Sequence, residues 1–223
     1  PTSGKIVYKK NDEIIKNIGK LNIGYLPQNF DVFNEFTVYE QLKYFSILKK
    51  LEDKEIDKAI QYVLELTNLE DEINTKCCDL SGGMKRRVGI AQAFLGNPDI
   101  IILDEPTVGL DPYERIRFKE IIKKVDMTIP IILSTHIIED ISSLCSDVIV
   151  LKKGEVVYKG NISSFKHPKN LFVYKSSIEN FKIIKEKTIK VRIDDGYKLI
   201  SNQKLIGYPF LESLETTVDD AYL

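Results

Sequence analysis

No stretch of this sequence is apolar for long enough to cross a bilayer, so any role at a membrane has to come through a partner. Nor is there an excess of charge of either sign: 32 Lys and Arg stand against 33 Asp and Glu, a formal net charge of -1. That balance removes the electrostatic argument for a nucleic-acid binder, which needs a basic face, and for steering of acidic substrates. Cysteine is scarce. Cys77, Cys78 and Cys145 are odd in number and lack a C-x-x-C spacing, which speaks against a disulfide scaffold or zinc site and for a reducing compartment. Histidine is scarcer still, so imidazole chemistry is limited to His136 and His167. There is no initiator Met either, and Pro1 is not followed by a charged and apolar leader, so neither a signal peptide nor a translation start is visible. The expectation is that a segment upstream is missing.

What is present has a globular composition. Of 223 residues, 43% are hydrophobic and 29% charged, and that length suits one α/β unit with an appended lobe. Residues 5–15 carry two short apolar patches around Asn11-Asp12 and predict a hairpin; residues 21–26 predict a strand. A helical period follows: Val38, Leu42, Phe45 and Leu48 recur behind a Thr37 N-cap, then Ile56, Ile60, Val63 and Leu66, then Met84, Val88, Ala91 and Leu95 behind Ser81. After Asn97-Pro98 come unbroken aliphatic runs at 100–103, 131–133 and 148–151, the pattern of parallel strands covered on both faces. Asp111 at the N-cap and Pro112 at N1 start a helix between the first two runs, with Phe118, Ile121, Ile122 and Val125 as its buried face. A short helix fits at 137–145. The alternation is that of a doubly wound α/β fold. Lys152-Lys153-Gly154 reads as a turn into a last strand at 156–158. The lysine-rich tail, with apolar runs at 171–174 and 189–193 and a turn at Asp195-Gly196, reads as a small α+β lobe.

Two places carry chemistry. Asp104-Glu105 ends an aliphatic run at the carboxyl edge of a predicted parallel strand, where ligands bind in open α/β sheets. There an Asp can hold magnesium through water and a Glu can orient or deprotonate an attacking water; a solvated strand end is the plainer alternative. In Leu80-Ser81-Gly82-Gly83-Met84, two glycines behind a helix-starting Ser leave backbone N–H groups at the positive end of a helix dipole. An ordinary N-cap with permissive glycines would have the same letters. Their surroundings, in order along the chain, are Gln28 after Tyr25-Leu26-Pro27, Gly109-Leu110-Asp111 after the acidic pair, and His136 ending Ser134-Thr135-His136.

This ordered set resembles the nucleotide-binding subunit of ATP-binding cassette (ABC) transporters, over nearly all of residues 1–160. Gln28 is similar to the Q-loop glutamine, residues 80–84 to the family signature, 100–105 to the Walker B strand, Gly109-Leu110-Asp111 to the D-loop and His136 to the switch histidine. The resemblance implies an α/β P-loop NTPase (RecA-like) core in residues 1–165, with a helical subdomain at about 37–96 and a C-terminal accessory lobe at 170–223. It implies ATP and magnesium as cofactors of the intact protein. Glu105 would polarise the attacking water and His136 would contact the γ-phosphate. Asp104 and Gln28 would serve the metal, and Asp111 would lie at the nucleotide. Ser81, Gly82 and Gly83 would face the nucleotide bound mainly by a second nucleotide-binding subunit, in a homo- or heterodimer. A transmembrane permease is the other implied partner, with Phe30, Phe33 and Phe36 on the meeting surface unless they are ordinary core, and with the subunit cytoplasmic, on the inner face of the cell membrane. The wording Leu-Ser-Gly-Gly-Met-Lys-Arg-Arg at 80–87, with Glu-Pro-Thr-Val-Gly-Leu-Asp-Pro at 105–112, is similar to the branch that exports drugs, antibiotics, sodium or lipids. Lys85-Arg86-Arg87 is expected to be a charged helix face rather than a nucleic-acid contact.

One family motif is not found. A P-loop requires G-x-x-x-x-G-K-S/T, whose N–H groups cradle phosphates; Gly4-Lys5 precedes Ile6, and Gly19-Lys20 precedes Leu21 with Ile14 where the first Gly belongs. The family's core is therefore expected to be incomplete at its N-terminus here, with no nucleotide bound and no ATP hydrolysed by the fragment. Two alternatives remain: a soluble ABC ATPase of DNA repair or translation, or a degenerate, non-catalytic interaction module. The ending Thr217-Val218-Asp219-Asp220-Ala221-Tyr222-Leu223 is similar to the close of the exporter branch, which suggests a regulatory or dimer-stabilising lobe.

Overall fold

The aliphatic runs become strands, and the stretches with helical period become helices. A computed structural model describes residues 3, 7–10, 13–15, 19, 21–125, 128–166, 172–176, 189–193, 196–201, 205 and 211–214. The chain divides into two units, Pro1–His136 and Ile137–Leu223. In order, the first holds β1 (Tyr8–Lys10), β2 (Glu13–Ile15), β3 (Ile23–Leu26), α1 (Val38–Leu48), α2 (Asp53–Thr67), α3 (Gly82–Phe94), β4 (Ile100–Asp104), α4 (Pro112–Lys124) and β5 (Ile131–Ser134). The second holds α5 (Ile138–Leu144), β6 (Asp147–Lys152), β7 (Glu155–Asn161), α6 (Ile162–Lys166), β8 (Phe172–Ser176), β9 (Ile189–Ile193), β10 (Gly196–Ser201) and β11 (Glu212–Leu214).

In the first unit β1 and β2 pair antiparallel, as the hairpin predicts; its turn at Asn11-Asp12 lies outside the described residues. Strands β3, β4 and β5 form a parallel sheet with β4 central, in a register that sets Leu26 beside Leu103 and Asp104 beside Ser134. One face is closed: Gly24, Leu26, Ile101 and Leu103 are buried. The other is more open than the aliphatic runs predict, with Tyr25 49% and Ile132 54% exposed.

Helix α3 lies against β3 and is buried nearly all round, at Arg87, Val88, Gly89, Ile90, Ala91, Ala93 and Phe94. Its approach depends on Gly24, where an added Cβ would stand 2.1 Å from the Ala93 carbonyl oxygen and 3.2 Å from Ile101 Cγ1. Helix α1 opens on the predicted Thr37 cap, completed by Glu40 as a capping box. Its buried face is Val38, Gln41, Leu42 and Ser46, whereas Leu48 is 57% exposed. Burying polar residues turns the helix this way: Gln41 Oε1 accepts from the Phe33 amide at 2.9 Å, and Ser46 Oγ donates to the Leu42 carbonyl at 2.9 Å. Just past the end of α1, Lys49 donates to the Leu95 carbonyl at 2.8 Å, capping the carboxyl end of α3. Burial pushes that ammonium down to about 8.

In the second unit, the run at 148–151 does not join a parallel sheet; as part of β6 it pairs antiparallel with β7. Lys153 and Gly154, at φ 52° and 83°, make a two-residue turn of the kind whose twist matches a hairpin, and it folds the chain straight back. The described tail strands form an antiparallel sheet in the order β11-β8-β10-β9. Gly196 opposite Ile193 fits the predicted turn, though Asp195 and residues 217–223 lie outside the described set.

Gly24→Ala should cost about 2–3 kcal/mol, because the opposing atom is backbone and α3 must move as a whole; urea unfolding will measure it. For Lys49, whose ordinary value is 10.5, the folded chain releases its proton from about pH 8 while the unfolded chain still holds it. Unfolding then takes up a proton, and stability rises with pH across that window. Wild type should thus gain on Lys49→Met between about pH 7.5 and about pH 10, and a stability difference independent of pH refutes this.

Candidate functional site

The register of β4 and β5 decides what stands beside the first carboxylate. Ser134, opposite Asp104, donates its hydroxyl to Asp104 Oδ1 and accepts from the Glu105 amide at 3.2 Å. The same amide lies 3.1 Å from the Ser134 carbonyl oxygen. This double hold sits where Glu105 leaves the strand with φ 45°, a left-handed conformation costing a non-glycine residue of order 1 kcal/mol. The turn brings Glu105 Oε1 to 3.0 Å from His136 Nδ1, on an imidazole that is 69% exposed beside a carboxylate that is 19% exposed. Glu105 Oε2 is buried with no hydrogen-bond partner.

Helix α3 brings a second set. Ser81 caps it, accepting from the Met84 amide at 3.2 Å. The two glycines differ: a Cβ on Gly83 would stand 2.8 Å from Glu114 Cγ, whereas one on Gly82 would meet nothing within 4 Å. A turn further on, the Arg86 guanidinium is filled by main-chain carbonyls. Nε donates to Pro106 at 3.0 Å, Nη1 to Pro27 and Gln28 at 3.1 Å each, and Nη2 to Asp104 at 3.3 Å and Glu105 at 2.9 Å. Arg87 donates to the carbonyls of Thr67 at 3.0 Å and Asn68 at 2.6 Å, and its Nε lies 3.3 Å from Glu114 Oε2. The expectation of a solvated basic face at residues 85–87 is thus corrected: Arg87 is 7% exposed and Arg86 is half-buried. The signal was in the sequence, since Val88-Gly89-Ile90-Ala91 is apolar on every side of the helix and leaves little room for a solvated stripe one turn earlier.

Asp104, Glu105 and His136 are therefore gathered at the carboxyl ends of β4 and β5, and Arg86 ties the Gln28 backbone to them. The Gln28 side chain is exposed. Asp111 caps α4, its Oδ1 accepting from the Glu114 amide at 2.9 Å. Ser134 and Arg86, to which the sequence assigned no role in the site, are two residues that hold this set in place.

The family described as ABC transporter matches residues 1–108. The chain is 35% identical over 168 residues to the methionine import ATP-binding protein of Lactobacillus acidophilus, covering 72% of this chain and 48% of that protein. It is 37% identical over 176 residues to the molybdate/tungstate import ATP-binding protein of Methanocaldococcus jannaschii, covering 76% and 57%. With the Nod factor export ATP-binding protein I of Rhizobium meliloti it shares 38% over 144 residues, covering 64% and 43%. Among solved structures, cbiO1 of Clostridium perfringens, part of the ABC transporter complex cbiONQ, aligns with a TM-score of 0.56 at 33% identity, over 63% of this chain and 57% of that one. The chain belongs to the ABC transporter family. Its α/β architecture is that of the family's P-loop NTPase fold, and the resemblance read from residues 28–136 is borne out at the level of an ATP-binding subunit. The chain spans about half the length of the curated relatives it matches.

The residues gathered here suit a magnesium nucleotide on two observations. An oxygen of Glu105 is buried without a partner, and Gly82 leaves open space at a helix N-terminus. No group of three His, Cys, Asp or Glu able to hold a metal occurs among the described residues. A cation at Asp104 would then take most ligands from water and phosphate, as magnesium does.

Arg87→Met should lose about 3 kcal/mol, since it strands two carbonyls and part of a nearly buried carboxylate. Chemical unfolding of the variant checks this, and a loss under about 1 kcal/mol contradicts it.

Proposed function

We propose that this chain is the ATP-hydrolysing part of an ABC membrane exporter subunit, coupling nucleotide-driven dimer closure to transport. The observation that carries the reading is Glu105, set in a strained backbone at a strand end, with one oxygen 3.0 Å from His136 Nδ1 and the other buried and unpartnered. A carboxylate so placed can orient a water and take its proton. Magnesium, held through water by Asp104 and touched by Gln28, would neutralise phosphate charge. His136 Nε2 would reach the γ-phosphate; donating there while Nδ1 donates to Glu105 requires the imidazolium form. Ser81, Gly82 and Gly83 would offer helix N-terminal amides to the nucleotide held by a second subunit, with Asp111 beside it. This is phosphoryl transfer by positioning and charge stabilisation, without a covalent intermediate.

The transmembrane permease would dock beside the Gln28 segment. Phe33 is 46% and Tyr44 42% exposed there, with ring centroids 5.5 Å apart, and Phe36 lies 5.3 Å from Phe33. A groove of about 410 Å³ lined by Tyr25, Phe30, Asp31, Phe45, Lys49 and Gln92 adjoins them. No helix among the described residues is long and apolar enough to span a membrane, which fits a peripheral subunit on the cytoplasmic face. Export rests on the wording of residues 80–87 and 105–112; relatives named for import and for export both match. Residues 1–165 would be the ATPase domain, with the helical subdomain at 37–96, and 170–223 an accessory lobe. Because G-x-x-x-x-G-K-S/T does not occur in these 223 residues, the polypeptide by itself would not turn over ATP.

In the intact protein, steady-state hydrolysis should fall about a hundredfold or more on Glu105→Gln, while the 223-residue polypeptide stays at background. Hydrolysis by the intact protein that is indifferent to Glu105→Gln would falsify the reading.

A further inference from the structure

A guanidinium has five N–H donors and no acceptor, and those of Arg86 make five bonds, all to main-chain carbonyls. Two belong to the segment after β3, at Pro27 and Gln28; three belong to the segment after β4, at Asp104, Glu105 and Pro106. A donor set already filled in this way has little left to offer a ligand. What it does instead is fix two loop backbones against each other and against the first turns of α3. Among the described residues no carboxylate is paired with the group at hydrogen-bond distance, so a positive charge stands behind the backbone that carries Asp104 and Glu105.

We propose that Arg86 is a positioning residue: it clamps the Gln28 segment to the Asp104-Glu105 segment, so that both, with the Ser81–Gly83 end of α3, keep one relative geometry. This rests on the reading of Glu105 as the hydrolytic carboxylate only for its effect on turnover; the clamp itself is a statement about backbone geometry. Lysine cannot replace it, because three donors on a point charge do not span five carbonyls in a planar fork. Loss of the clamp should misplace Glu105 without removing any group that binds nucleotide directly.

The test compares Arg86→Gln and Arg86→Lys with wild type in the intact protein, reading ATPase kcat and KM together with amide hydrogen exchange. Both variants should lower kcat about tenfold or more, as small misplacements do, with KM for ATP within about twofold. Exchange should quicken in peptides over residues 25–30 and 103–108 and stay unchanged over α2. An unchanged kcat, or a rise in KM alone, overturns the positioning role. Should wild type show no ATP turnover at all, the ATPase reading fails. Exchange then decides the clamp: quickening confined to the two segments upholds it, and unchanged protection in both overturns it.

Discussion

Five main-chain carbonyls converge on the Arg86 guanidinium, and the shape of the site follows from why they need it. A strand leaving a parallel sheet takes its last carbonyls out of the ladder, and a backbone acceptor shielded from water without a donor is costly. Pro27 and Gln28 beyond β3, and Glu105 and Pro106 beyond β4, have left the ladder in this way, although the Gln28 contact is exposed and the Glu105 carbonyl also accepts from the Val108 amide at 3.3 Å. One side chain supplies donors to all of them. Desolvation of the guanidinium opposes this, and burial does lower the Arg86 pKa, with Asp104 acting against that shift. A direct carboxylate partner would relieve the desolvation more simply, but Asp104 is engaged by the Ser134 hydroxyl and Glu105 by His136. Carbonyl dipoles stabilise the cation and leave both carboxylates to other uses.

Ser134 answers a related need one strand over. Glu105 turns out of the sheet in a left-handed conformation that a glycine would adopt at no steric cost, and a carboxylate is wanted there instead. The Ser134 hydroxyl accepts from the Glu105 amide and donates to Asp104, so one small group steadies both acidic residues. Strain and an unpartnered buried oxygen thus coincide at Glu105, and both are features that accumulate where a fold gives up stability for chemistry.

Features set by neighbours in sequence were legible without coordinates. Thr37, Ser81 and Asp111 cap helices as their side-chain chemistry predicts, because an N-cap is satisfied within three residues. The acidic pair at the end of β4 was equally plain. Features set by distant partners were not. Leu48 matches the helical period but is exposed, because Gln41 and Ser46 rotate α1 through bonds that no period reveals. The run at 148–151 has the letters of a parallel strand, yet Lys153-Gly154 turns it into a hairpin, and a short aliphatic run does not specify the direction of its neighbour. Arg86 reads in the sequence as part of a charged helix face, and its place in the site is hidden because its five acceptors are main-chain atoms, which carry no residue-specific signal.

The glycine pair shows how far a motif can be resolved into separate causes. Gly83 is required from within, since a methyl group there would press into the Glu114 side chain that also engages Arg87 and Arg117. Gly82 has no such reason. A Cβ there meets nothing within 4 Å, and helix propensity in the first turn would favour alanine. Under the proposed function, a reason for glycine at position 82 would lie outside the chain, in a group that approaches the backbone more closely than a methyl group permits. A phosphate at a helix N-terminus approaches in that way. Packing within the chain thus accounts for Gly83 and not for Gly82, and Arg86 one turn further along the same helix joins that end of α3 to the segment carrying the carboxylates.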